Sequence, residues 1–171
     1  MVLEVVDTPA PLMSMARPGQ HMPMFLAASS RILMAYMEPD ELEKVVAANA
    51  KSPDFDRAAL MRELARFRRQ GYALTRGQRV PGLTAIAVPI FDMEGKVRHC
   101  LALTGPSVRV DPRDQELVDI MVTAGRDISS RLGASPEHGI DMKLMMADRS
   151  IDRDPAPAKK KPAAKKALAT T

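Results

Sequence analysis

The sequence predicts an α+β fold, and three observations carry that prediction. Two apolar β-type runs, Leu83 to Phe91 and Lys96 to Thr104, flank the turn-forming segment Asp92-Met93-Glu94-Gly95. A helical pattern that stops at Gly71 precedes them, and a longer amphipathic pattern that stops at Gly133 follows. An antiparallel sheet with flanking helices is the layer arrangement that buries such faces.

The elements are expected in the following order. Met1 to Asp7, MVLEVVD, is a short β-like run ended at Pro9, because proline fixes φ and removes a donor. A helix follows around Ala28 to Met37. A second begins at Pro39, where proline suits the first turn and Asp40 and Glu41 complement the positive helix end. The next helix, Asp56 to Gln70, is better specified. Asp56 is its N-cap, Leu60, Leu64 and Phe67 recur on one face, and Gly71 is its C-terminal stop. Its other face carries Arg62, Arg66 and Arg69, a pattern expected of a solvated surface. The hairpin comes next. The last helix, near Asp114 to Leu132, places Leu117, Ile120, Met121, Ala124, Ile128 and Leu132 on one side, to pack across the sheet.

Composition limits what surrounds this layer. With 171 residues, 46% of them hydrophobic, the chain can bury one ordinary core and has little left for a second. Residues 151–171 hold six basic and two acidic side chains, a surplus of four that equals the net charge of the whole chain. The first 150 residues are therefore neutral, with 19 groups of each sign, and the basic balance says nothing about nucleic-acid binding by the globular part. The tail, rich in Lys, Ala and Pro, lacks core-forming residues and is expected to be disordered. It is either a solubilising extension or a tether in which Lys159, Lys160, Lys161, Lys165 and Lys166 hold nucleic-acid phosphates by releasing counterions. Residues 134–150, with Pro136, Gly139 and the cluster Met142, Leu144, Met145 and Met146, read either as a short docked helix or as a linker.

Several function classes fall away. The longest apolar runs are well short of the roughly 20 residues a membrane helix needs. Glu4 and Asp7 stand where a signal peptide would be basic, so a cytoplasmic location is expected. The single cysteine, Cys100, makes no intrachain disulfide, and His21, His99 and His138 lack metal-ligand spacing, so no cofactor or metal is expected. There is no nucleophile elbow or glycine-rich phosphate loop, and Cys100 and His99 point to opposite faces of a strand. The chain does not read as an enzyme.

One ordered series of short pieces points to a family. Gly19 and Pro23 lead into Ala27-Ala28-Ser29-Ser30-Arg31. Then come Gly71-Tyr72-Ala73, Pro81-Gly82, Ile86-Ala87-Val88-Pro89, Phe91-Asp92, Gly95, Leu103-Thr104-Gly105-Pro106 and Arg109. In order and approximate spacing this series resembles the effector-binding domain of the IclR family of bacterial transcription regulators, from about Val2 to Gly133. Serine and arginine replace the Gly-Lys pair common in that family at Ser30 and Arg31. The resemblance implies a single GAF/profilin-like sensor domain that binds a small metabolite, often an organic or aromatic acid, and assembles as a homodimer or tetramer.

It also implies a pocket between the small-residue stretch and the inner face of the sheet. Ala28 and Ser29 would offer N–H groups at a helix start, where the helix dipole favours an anion, and Ser29 or Ser30 would add a hydroxyl. Carried over by position, the remaining residues are Thr75 in the loop after Tyr72, Ala85 in the first hairpin strand, and Ala102 and Thr104 in the second. Ala85 and Ala102 stand where polar side chains occur in relatives, which implies a more apolar or bulkier effector. Met13, Met15, Met22 and Met24 would form an adaptable wall. The plainer readings are N-capping for Ser29 and Ser30, β-sheet or loop preference for Thr75 and Thr104, and ordinary packing for the methionines.

Regulators of this type carry an N-terminal winged helix-turn-helix, a linker helix and a first strand ahead of the matching segment. Here DNA binding would rest on that missing N-terminal domain. The expectation is a sensor at 1–133, a linker or short helix at 134–150 and a tail at 151–171. A late coding start or a fragment explains the missing reader better than a stand-alone domain. The other functional reading is a stand-alone interaction module whose tail binds nucleic acid without sequence preference.

Overall fold

The computed structural model describes residues 1–7, 16–22, 24–49 and 55–135. The expectations for Met13 and Met15, for 136–150 and for the lysine tail lie outside these. Strand β2 (Leu83–Phe91) pairs antiparallel with β1 (Ala73–Arg76) on one side and β3 (Val97–Pro106) on the other, giving the order β1-β2-β3. From Ile86 to Phe91 the middle strand is buried continuously, as expected of a strand covered on both faces.

Two clusters sandwich it. Helices α1 (Ala28–Ala35), α2 (Pro39–Asn49) and α3 (Arg57–Gln70) bring Ala28, Ile32, Met34, Leu60, Leu64 and Phe67 together with Ala73 and Ala87. On the opposite face Ile86 and Val88 meet Val110, Val118 and Met121 from α4 (Ser107–Val110) and α5 (Asp114–Arg131). Local chemistry sets the ends of these elements. The Ala59 N–H donates to Asp56 Oδ1 at 2.8 Å, and Gly71 closes α3 in the left-handed region at φ +70°. In the hairpin turn Asp92 Oδ1 accepts from the N–H groups of Glu94 and Lys96 at 2.9 and 3.0 Å. Those two bonds help hold the Asp92 carboxyl below its ordinary range.

The structure corrects several expectations. Met1 to Asp7 is not a strand. Among the described residues it makes two ladder-like bonds, both between Val2 and the Gly19–Gln20 turn, and these do not form a β pairing. Thr75 lies in a strand rather than a loop, because Ala73–Arg76 finds a complete antiparallel partner in β2. Arg66 is not solvated: it is half-buried, with its guanidinium 5.2 Å from the Phe67 ring centroid. Between β3 and α5 lie α4 and a 3-10 turn (Asp111–Arg113), neither of which was expected. They are pinned to the sheet by buried Thr84, whose hydroxyl donates to Asp111 Oδ1 at 2.6 Å and lies 2.9 Å from Ser107 Oγ.

The largest correction concerns α5. Its sheet-facing residues are Val118, Met121, Gly125 and Ser129, while Ile120 and Leu132, expected in the core, are 53% and 47% exposed. Gly125 sets this rotation, since a Cβ there would lie 2.8 Å from Val88 Cγ2 and 3.3 Å from the Pro89 carbonyl oxygen. Ser129 adds a hydrogen bond to the backbone of Phe91. Among the described residues no helix is long and apolar enough to cross a membrane, and no group of His, Cys, Asp and Glu could hold a metal ion.

Candidate functional site

Strand pairing aligns the sequence-predicted residues on one face. Thr75, Ala85 and Thr104 are cross-strand neighbours in one row, and Ala73, Ala87 and Ala102 form the next. Side chains one row apart on the same face lie on alternate residues, so the period of two puts all six together. Apart from the two threonines the floor is built of methyl groups. Burial grades across it: Thr75 is buried, Ala85 half-buried, and Ala102 and Thr104 exposed.

Helix α1 lies over this face. It packs Ala28, Ile32 and Ala35 into the cluster with Ala73 and Ala87, and the Cys100 thiol donates to the Ser29 carbonyl at 3.6 Å. Burial pushes the Cys100 thiol up to about 11, so it is protonated and an unreactive part of the wall at neutral pH. His99 is exposed and sits on the other side of β3, opposite Ile90.

The start of α1 is uncapped. Ala27 is the N-cap residue, extended at φ −92° and ψ 139°, and no side chain caps the helix. This overturns the capping alternative for Ser29 and Ser30, which lie one and two residues inside the helix. The first backbone bond closing the helix runs from Arg31 N–H to the Ala27 carbonyl at 3.0 Å. The N–H groups of Ala28, Ser29 and Ser30 therefore have no acceptor within the helix. Ala28 and Ser30 are buried and Ser29 is half-buried.

Arg31 holds this end of the helix in place. Its Nε donates to the Phe25 carbonyl at 2.7 Å, and one terminal nitrogen donates to Glu63 Oε2 on α3 at 2.6 Å and to Gln78 in the β1–β2 connection. Three segments thus meet on one guanidinium, and the planar fork suits this better than an ammonium would. Sequence reading identified Arg31 only as a departure from a family pair, and missed Glu63, Gln78 and Phe25. No local signal marks partners 32 and 47 positions away. Met22 and Met24 are half-buried before the helix, and Met24 packs against the α1–α3 cluster.

The arrangement offers an anion or a carbonyl a set of free backbone donors in a partly dry setting, above a small and largely apolar floor that opens toward β3. Among the described residues no acid–base pair or nucleophile with an activating neighbour faces it.

Comparison with known proteins agrees with the α+β fold. The family model described as bacterial transcriptional regulator IclR C-terminal matches residues 1–130. The transcriptional regulator KdgR of Escherichia coli is 31% identical over 134 residues, covering 75% of this chain and 51% of KdgR. The regulator BhcR of Paracoccus denitrificans is 27% identical over 145 residues, covering 81% of this chain and 52% of BhcR. The chain thus spans about half the length of these relatives. The crystal structure of the C-terminal domain of KdgR superposes with a TM-score of 0.60 at 31% identity, over 68% of this chain and 74% of that one. The transcriptional regulator YaiJ superposes with a TM-score of 0.66 at 28% identity, over 74% of each chain.

Proposed function

The chain belongs to the IclR family of bacterial transcriptional regulators, and from that premise we propose that its α+β domain senses a small organic acid or carbonyl compound held between the start of α1 and the face of Thr75, Ala85, Ala102 and Thr104. The observation that carries this reading is the uncapped N-terminus of α1 above an aligned row of small side chains. A carboxylate there accepts from the N–H groups of Ala28 and Ser29, and the hydroxyl of Ser29 or Ser30 adds a further donor. A helix N-terminus contributes about 0.3–1 kcal/mol toward an anion, and up to about 2 when partly buried.

Arg31 does not supply the charge, because its guanidinium is already engaged by Glu63, Gln78 and the Phe25 carbonyl. The methyl groups of Ala85 and Ala102 leave room for an apolar body and make few polar demands on it. The ligand acts by population shift: it binds one arrangement of the subunits of a dimer or tetramer better than another, and so changes DNA affinity. The domain itself performs no catalytic step.

A thermal-shift screen of the full chain against small carboxylic acids, ketones and aromatic acids tests this. A ligand at 100 times its Kd stabilises by about 2.7 kcal/mol. The expected result is a compound that raises the Tm of the parent and leaves a folded Ala102→Trp variant unmoved, since the indole fills the open side of the floor. Equal shifts in both proteins would put the ligand elsewhere.

A further inference from the structure

The outer edge of the sheet along β3 is bare. Strand β3 ends the order β1-β2-β3, and among the described residues no hydrogen bond reaches its outward N–H and C=O groups. From Cys100 to Gly105 it carries no charge and no proline, and its ladder to β2 runs there without a shift, so the usual guards against a further strand are missing. The opposite edge, β1, is only four residues long.

Two exposed apolar side chains bracket this edge. Met93 in the hairpin turn is 71% exposed, and Val108 in α4 is 83% exposed. They stand eight positions before and seven positions after Leu101. Such a layout suits an edge that is its own complement, because a two-fold axis makes residue i meet j and j meet i.

We propose that β3 pairs antiparallel with β3 of a second copy about a two-fold axis at Leu101, which joins the two sheets into one of six strands. In this register Arg98 lies opposite Thr104, Cys100 opposite Ala102 and Leu101 opposite its own copy, while Met93 comes to Val108 at each end. Half-buried Leu101 and Leu103 gain cover across the axis. Charge agrees with the same register. Arg109 is exposed and makes no ion pair among the described residues, and the pairing brings it to Asp92 and Glu94 in the turn of the second copy. The two Arg98 side chains lie six residues apart along the paired strands, about 20 Å, so like charges do not face.

The pairing also completes the ligand site. Ala102 and Thr104 are the exposed part of the floor. Residues directly opposite each other share a face, so Cys100 and Arg98 of the second copy stand beside them and close the open side. An effector that touches the closed floor binds the paired chains better than the separated ones, and so shifts the arrangement of subunits. This consequence rests on the ligand site proposed above, whereas the pairing itself stands on the bare edge.

Sedimentation equilibrium of the full chain without ligand tests the pairing. Thr104→Lys sets a cation beside Arg98 of the second copy twice per dimer, and Thr104→Glu sets an anion there. The expected result is a dimeric parent whose Kd rises in the lysine variant and falls in the glutamate variant, leaving the two about tenfold apart. A monomeric parent, or a Kd indifferent to the sign of the charge, overturns the proposal. A second measurement is free of added charge: on a Cys100→Ala background, Met93→Cys and Val108→Cys chains are mixed under mild oxidation. Within one chain these positions lie at opposite ends of β3, about 30 Å apart and out of disulfide reach. The mixture should form its interchain disulfide about ten times faster than either variant alone, and equal rates would mean random collision and no pairing. An effector that maps to Ala28, Ser29 and Ser30 in a chain that stays monomeric would leave the ligand site standing and remove the interface.

Discussion

Ser129→Ala removes one oxygen atom and should cost far more than its area. The Ser129 hydroxyl is the acceptor for the Phe91 N–H at 3.0 Å, and it donates to the Gly125 carbonyl at 2.7 Å. Phe91 lies where the β2–β3 register shifts, between Ile90 and Phe91, so its N–H leaves the regular ladder there. The Gly125 carbonyl keeps its helical bond when the hydroxyl goes, but the Phe91 N–H is left buried without an acceptor. Ser129 is 3% exposed and Phe91 5%, so water does not readily take the place of the hydroxyl. An orphaned buried donor costs about 1–3 kcal/mol, and methyl for hydroxymethyl recovers little of that. The expected loss is about 2 kcal/mol, or roughly 4–8 °C in Tm for a domain of this size. Urea unfolding of the full chain checks it, with exposed Ser130→Ala as the control that should stay within about 0.5 kcal/mol. A Ser129→Ala variant as stable as that control would refute the claim that this hydroxyl satisfies the bulge and orients α5.

Further outcomes follow from the same contacts. Gly125→Ala gains about 1 kcal/mol of helix propensity but puts a methyl group 2.8 Å from Val88 Cγ2, so overpacking of about 1–3 kcal/mol should leave the variant less stable by urea unfolding. Asp56→Ala should cost about 1 kcal/mol by the same measurement, because the Ala59 N–H loses its cap. Arg31→Ala should destabilise by about 2 kcal/mol, and Arg31→Lys should recover less than half of that, since an ammonium does not reproduce the fork that joins Phe25, Glu63 and Gln78. The Cys100 thiol titrates near 11 when folded against an ordinary 9.0. Its contribution is thus complete below pH 9 and lost as the pH rises toward 11, and Cys100→Ala should flatten the fall in stability over that window.

Some of this architecture is legible in the residues because local and global demands agree. Helix α3 is written by Asp56, by Leu60, Leu64 and Phe67, and by Gly71, each of which acts within its own turn. The hairpin is legible because two apolar runs meet at a turn whose Asp92 and Gly95 have defined roles. Strand β1 is hidden, since four residues carry too little alternation to read and become a strand only because β2 presents a free edge. Helix α5 was read with the wrong rotation for a physical reason. Its apolar side chains form two overlapping stripes, and a glycine and a serine, residues that hydrophobic patterning discounts, mark the side that meets the sheet. Met1 to Asp7 fails in the opposite way, having strand-like composition without a strand to pair with.

The candidate site divides along the same line. That Ala102 and Thr104 share a face follows from the period of two, and the register that pairs Ala85 with Thr104 brings Ala85 to the same face. That α1 covers this face at Ala85 and Cys100 depends on the helix folding over the sheet from 50 or more positions away, and family resemblance supplied that part. The Arg31 clamp, which fixes the helix end, joins three distant segments and leaves no mark in any one of them.

The central claim is that the start of α1 receives the ligand. Amide chemical-shift mapping on the nitrogen-15-labelled full chain, titrated with a compound that raises its Tm, tests this most directly. The N–H signals of Ala28, Ser29 and Ser30 should move most and saturate together with those of Ala85 and Ala102. Saturating shifts confined to other segments, with those three amides unmoved, would contradict it.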